Sequence, residues 1–223
     1  VNKFGRNTDV DTAAVPEDVW NGGGVYAGFP TGAAEEFEVF SSSASDTGVL
    51  TFTYLPSFLA TDWLQATVTL NGTTPVATGI TGVRMHTARY VSGGATTFNL
   101  GTITIRHRVT TANVFCVSPI GRSQTNVAAY TVPFGSMGVL RRLFCRVIGA
   151  VNGTIDGALW VRDLNSSPRL RRPFSATNAD HFEEMPYGGL IVNAGADIQV
   201  RIGAASANNL DVIAGYDLVL IRH

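Results

Sequence analysis

The sequence predicts an all-β protein: an antiparallel β-sandwich, jelly-roll-like, with an extended N-terminal arm. Three observations lead there. From Glu35 onward, apolar and polar residues alternate with period two; clusters of Gly, Asn and Ser punctuate the runs; and no segment carries the 3.6-residue period of an amphipathic helix. A chain of 223 residues is long enough to bury roughly 70% of its unfolded surface without cross-links.

Residues 1–34 are the exception to the alternation. They hold a triple glycine at 22–24, yet also Phe4, Val19, Trp20, Val25, Tyr26 and Phe29, together with Asp9, Asp11, Glu17 and Asp18. A segment with no period of its own and so many large apolar groups is expected to be an anchor. Trp20 and Tyr26 would be its main contacts on another chain, supported by Phe4 and Phe29, with the four carboxylates paired to Arg. Within it "VPEDVW" reads as one helical turn, with Pro16 early and Glu17 and Asp18 at the positive end.

Residues 35–110 read as a small β-module. Leu50, Phe52 and Tyr54 alternate with Thr in "VLTFTYL", as do Leu64, Ala66, Val68 and Leu70 with polar residues in "WLQATVTL", and Ile103 with Ile105 in "GTITIR". "NGTTP" at 71–75 and "SGGA" at 92–95 mark turns. A seam near "HRVTTAN" (107–113) sets off a C-terminal sandwich, residues 111–223, although 35–223 also reads as one domain. Its strands include "GALWVR" and "DIQVRI", with turns at "NGT", "NAGAD" and "SANN". The last run, "VIAGYDLVLIRH", is apolar on both parities and is expected to be a central or interface strand.

Composition narrows function. Charged residues are 15% and hydrophobic ones 45%, with 24 Gly and 12 Phe, a balance that favours an assembled protein. Residues 1–62 carry Lys3 and Arg6 against nine carboxylates; every basic residue beyond them is Arg, which suits protein interfaces better than Lys. A formal net charge of -1 and a single Lys argue against a nucleic-acid partner. No apolar stretch approaches eighteen residues, so a soluble protein with no membrane partner is expected, and the first residue being Val implies that the initiator lies outside this numbering.

Enzyme signatures fail in turn. "GSMG" at 135–138 lacks the strand-to-helix context of a nucleophile elbow, and the triple glycine precedes no Lys-Ser/Thr. His86, His107, His181 and His223 have no ligand spacing, and neither do Cys116 and Cys145, which read as buried structural thiols, with a disulfide between them as the lesser alternative. Asp9, Asp11, Glu17 and Asp18 do not form an EF-hand loop, and Glu183 and Glu184, being adjacent, face opposite ways in a strand. No metal or other cofactor is expected. The Arg clusters are the candidate contact residues. In "LRRLFCR", Arg142, Phe144 and Arg146 share the parity opposite Leu143 and Cys145, beside Arg141; "SPRLRRPF" supplies Arg169, Arg171 and Arg172. An aromatic between guanidiniums suits base stacking or an acidic, aromatic protein segment, and the charge balance favours the latter.

The segments "NKFGRNTDVDT", "PEDVWNGGGVY", "EVFSSSASDTG", "TVTLNGTTPVAT", "GTITIR", "AAYTVPFG" and "AGYDLVLI" together resemble a family of virion structural proteins of tailed bacteriophages. The resemblance runs along most of the chain. It implies a non-enzymatic virion protein, made in the host bacterial cytoplasm, with no catalytic residues to carry over. Within that class the expectation is a capsid decoration, or cement, protein on the head surface, partnered by the major capsid protein and by itself as a homo-oligomer, a trimer. The alternatives are a tail- or fibre-associated protein, or a carbohydrate- or receptor-binding module in which Trp63 and Trp160 act as platforms rather than core.

Overall fold

The structure, a computed structural model, describes residues 1–92, 96–148, 152–186 and 188–222. It is all-β: of the described residues 58% are in strands and none in helices. In chain order the strands begin with β1 (Asn2–Val10), β2 (Glu17–Asp18), β3 (Glu35–Ser41), β4 (Val49–Leu55), β5 (Leu64–Thr69), β6 (Val76–Gly82), β7 (Arg84–Ser92), β8 (Ile103–His107) and β9 (Val114–Ser118). They continue with β10 (Ala129–Thr131), β11 (Ser136–Ile148), β12 (Thr154–Arg162), β13 (Arg169–Thr177), β14 (Phe182–Glu184), β15 (Leu190–Val192), β16 (Asp197–Ala205) and β17 (Leu210–Arg222). The chain forms two units: Val1–Tyr26 with Val127–His223, and Ala27–Asn126.

The first unit has two antiparallel sheets. Sheet A runs β1-β17-β11-β14, with β15 also on β11; sheet B runs β10-β16-β12-β13, with β2 also on β16. Alternation builds its core. Leu143, Cys145 and Val147 of β11, Val212, Ala214, Tyr216 and Leu218 of β17, and Ile198, Val200 and Ile202 of β16 are all at most 2% exposed. The Tyr216 hydroxyl donates to the Ile198 carbonyl at 3.3 Å, tying one sheet to the other. The last strand is central, as expected, held between β1 and β11.

Strands β2 and β10 are two halves of one edge strand. Glu17 and Asp18 face Ile202 and Arg201, while Ala129, Tyr130 and Thr131 face Gln199, Ile198 and Asp197. Between them, Val19 N–H donates to Val200 O at 3.0 Å and Val200 N–H donates to Ala128 O at 3.0 Å. The ladder beside β16 is therefore continuous although its sequence is interrupted by Ala27–Asn126. This corrects the expected arm. Residues 2–10 pair along β17 and residues 17–18 along β16, so the first half of the segment is built into both sheets of the first unit. The expected helical turn at "VPEDVW" is corrected too: Glu17–Asp18 are extended and paired with β16.

The second unit packs a four-stranded sheet, β6-β3-β8-β9, with a three-stranded sheet, β5-β4-β7. Phe37, Phe52, Phe115, Leu50, Ile103 and Ile105 form the centre of its core, each at most 1% exposed. Two buried polar groups fix its loops. Asp46 accepts from Ser41 Oγ at 2.6 Å and from the N–H groups of Leu100 and Gly101 at 2.8 Å each. Asn99 Nδ2 donates to the carbonyls of Gly101, Ser118 and Pro119. The seam expected near 107–113 is the turn between β8 and β9 inside this unit, so the boundaries 35–110 and 111–223 are replaced by those of the two units. Of the turn signals, "SGGA" lies largely outside the described residues.

Candidate functional site

The residues expected to anchor on another chain mostly serve the fold of the first unit. Trp20 and Tyr26 are each 5% exposed and meet edge to face at 5.1 Å. The triple glycine lets the chain wrap the indole. Gly23 and Gly24 have φ of 68° and 60°, the Gly24 carbonyl accepts from Trp20 Nε1 at 3.2 Å, and a Cβ at Gly22 would collide with the ring. Glu17 accepts from Asn7 Nδ2 at 2.9 Å and from the N–H groups of Asp11 and Gly24 at 3.0 and 3.1 Å.

Among the described residues, Asp18 is the one of the four carboxylates that takes an Arg, and that Arg lies in the same unit. Arg201 Nε and Nη2 donate to it at 2.9 and 3.1 Å, with Tyr26 N–H adding a bond at 2.7 Å. Burial pushes the Asp18 carboxyl up, and the Arg201 bonds partly offset that. Asp11 accepts from Asn209 N–H at 2.8 Å, and Asp9 is exposed at a register shift of β1. Phe29 belongs to the second unit, where the Arg84 guanidinium sits 5.3 Å over its ring.

Phe4 alone among the expected aromatic anchors is well exposed, at 41%, and it joins the first Arg cluster on the outer face of sheet A. Register explains the meeting. Phe4 lies opposite Gly215, Gly215 opposite Phe144, and Phe144 opposite Glu183, so one row crosses four strands. Gly215 has no side chain to separate the rings; a Cβ there would strike Phe144 and the β1 backbone. The row on one side holds Asn2, Asp217 and Arg142; that on the other holds Arg6, Ile213 and Arg146.

The expected parity of Arg142, Phe144 and Arg146 holds: Leu143 and Cys145 are fully buried behind them. Arg142 lies 4.9 Å over the Phe144 ring and donates to Glu183 Oε1 at 2.9 Å, so its charge is met within the sheet. Arg6 is forked onto Asp211 at 2.9 and 2.5 Å. Arg146 is exposed and has no ion pair among the described residues; Arg141, also exposed, occupies the register shift between Leu140 and Arg142. Phe144, Arg146, Ile148, Phe182 and Ile213 border a depression of about 390 Å³.

Further along the same face lies an apolar patch that residue-type searching missed. Val139 is opposite both Val219 and Ile191, and Met137 is opposite Ile221. Val219, Ile221 and Ile191 are 51%, 45% and 61% exposed. The signal was present in the apolar outer parity of the final strand.

The second Arg cluster occupies β13, the edge of sheet B. Arg169 and Arg171 are exposed, Arg172 and Arg171 stand 3.9 Å from Glu184 and Asp163, and Pro173 removes a ladder donor. Charge and proline on an edge strand block pairing with another sheet, which explains "PRLRRP" without a ligand. Cys116 and Cys145 are unbridged thiols buried in different units, and burial pushes the Cys145 thiol up to about 12. Among the described residues no group of three His, Cys, Asp or Glu side chains is placed to hold a metal ion. His107 is a core residue stacked on Phe37, whereas His223 lies outside the described residues.

No protein family, curated protein or solved structure matches this chain.

Proposed function

We propose that the chain is a non-enzymatic structural protein of a tailed-bacteriophage virion, a capsid decoration protein that packs on the head through the outer face of sheet A. The observation that carries the reading is that face: three half-exposed aliphatic side chains beside Met137 and Val139, continuous with the Phe4–Phe144 row and the exposed Arg146. A contiguous apolar patch rimmed by polar groups is the usual mark of a protein contact. Arg146 adds a guanidinium for a partner carboxylate.

Strand order supports the same class. With β2 and β10 taken as one strand and β14 and β15 as another, the first unit has eight strands in the orders 1-8-3-6 and 2-7-4-5. We read this as a jelly roll, an architecture used by viral capsid domains among others. Architecture alone does not assign function; the phage class comes from the sequence resemblance. The attachment role first given to residues 1–34 passes to the sheet A face, and self-association as a trimer remains part of the proposal.

Co-sedimentation of the purified protein with undecorated phage heads tests it. Burying the exposed halves of Val219 and Ile221 is worth about 1 kcal/mol each, and Val219→Asp reverses that gain while adding a desolvation cost. Val219→Asp with Ile221→Asp is expected to abolish head binding without lowering the melting temperature. Wild-type protein that ignores heads, or binds tails instead, would refute the decoration role. Light scattering reads the oligomer, and a monomer at tens of micromolar would remove the trimer.

A further inference from the structure

On sheet B, facing away from its core, side chains from three strands enclose a second groove of about 430 Å³. Its shape follows from register. Ala158 is opposite both Arg201 and Pro173, so the middle of β12 offers only a methyl group, with Gly157 and Gly203 also lining the floor. Two residues along β12 in one direction stands Trp160; two in the other stands Asp156. Small residues between large ones on one strand leave a hollow.

The walls combine an apolar surface with a ring of polar groups. Trp160 is half-buried beside Leu170, Pro173 and Pro16, and among the described residues its indole N–H has no acceptor. Arg201 stands 5.9 Å over the Trp160 ring and spends Nε and Nη2 on buried Asp18, which leaves Nη1 to donate. Asp156 accepts from Ser175 Oγ at 2.5 Å through Oδ1, which leaves Oδ2 and the serine lone pairs to accept. Donors and acceptors are thus both present around a small aromatic-walled hollow. The Asp18 pair holds Arg201 in place before any ligand arrives, which lowers the ordering cost of binding.

We propose that this groove is a saccharide-binding site, taking one or two pyranose units. A pyranose ring has an apolar C–H face for the Trp160 and Pro173 walls, and hydroxyls that donate and accept at once, which suits the mixed fringe. The volume lies within the range of small-ligand sites, roughly 300–1,000 Å³. The site is on the opposite sheet from the proposed head contact and does not depend on it.

The test is a titration of the full ¹⁵N-labelled chain with methyl glycosides of glucose, galactose, mannose and N-acetylglucosamine. The three Trp residues give three indole signals to follow. At least one glycoside is expected to shift the Trp160 signal saturably, with a dissociation constant on the order of 1 mM, while Trp20 and Trp63 stay put. Trp160→Phe identifies the signal. Asp156→Asn and Ser175→Ala, both at exposed positions, are each expected to weaken binding about tenfold with unchanged melting temperature. Three outcomes would overturn the proposal: no glycoside moving the Trp160 signal up to about 50 mM, binding indifferent to Asp156→Asn and Ser175→Ala, or a shift produced by a proline-rich decapeptide and by no glycoside.

Discussion

Removing Ala27–Asn126 and joining Tyr26 to Val127 through about six Gly and Ser residues should leave a folded first unit. The ends are already close. Tyr26 N–H is 2.7 Å from Asp18 Oδ2, Val127 bridges to Trp20, and residues 18 and 20 are separated by at most about 7 Å of extended chain. The gap is therefore roughly 10–15 Å, within reach of about five residues. Shortening the connection from about 100 residues to about six lowers its closure entropy by (3/2)RT ln(100/6), about 2.5 kcal/mol. That is an upper bound, because an insert that folds holds its own ends. The excised protein should thus melt at or above the temperature at which the first unit melts in the full chain, by up to about 10 °C. Thermal melts by circular dichroism, with dispersed amide spectra as the check on folding, decide the matter. An excised chain that is soluble but molten would show that β2 and β10 do not make one strand by themselves, and the two-unit reading would fail.

Trp20→Ala should destabilise the first unit by about 3–5 kcal/mol in urea, because it empties a pocket of the unit's own core, whereas an anchor meant for another chain would cost the isolated protein almost nothing. The second unit should weaken in acid. Glu35 is held below the ordinary carboxylate range by the Thr110 hydroxyl and N–H, and Glu36 by Arg108 and the Gly79 N–H. A lowered folded pKa gives stability that is present above the unfolded value, about 4.3, and is lost as pH falls through the folded one. The gap in urea midpoint between wild type and the Glu35→Gln, Glu36→Gln double variant should therefore narrow from pH 6 to pH 3, and parallel curves would sink the assignment. Asp18 has the opposite sign: its carboxyl is raised by burial, so its cost to the first unit is felt above the unfolded value and eases as pH falls.

How much of this was legible depended on how far each strand lies from its partner. The class was legible because alternation is local: Leu143 and Cys145 against Arg142, Phe144 and Arg146 can be read from five consecutive residues, and the structure keeps that parity. The N-terminal segment was not. β1 pairs with residues some 200 positions away and β2 with residues some 180 away, and "NKFGRNTDV" shows only a broken alternation because a register shift falls between Asn7 and Val10. Two-residue β2 has no period at all; its identity as a strand comes wholly from the β16 backbone beside it. Large aromatics with no visible partner in the sequence therefore read as contacts for another chain, whereas their partner is the far end of the same one.

The split edge strand also explains why such an arrangement survives an insertion of a whole unit. A strand is held by its neighbour rather than by its own continuity, so a break costs little if both halves keep their bonds to β16 and to each other, as the Ala128 N–H to Val19 O bond of 2.9 Å does across the cut. What must be supplied is a way to keep the first half from fraying where the chain departs. Here the Glu17 and Asp18 carboxylates bind backbone N–H groups of Asp11, Gly24 and Tyr26, Arg201 forks onto Asp18, and the wrapped Trp20 seals the turn. The residues that read in the sequence as an acidic, aromatic anchor are thus the clasp that closes the first unit around its insertion. The proposed head contact, on the outer face of sheet A, lies apart from this clasp.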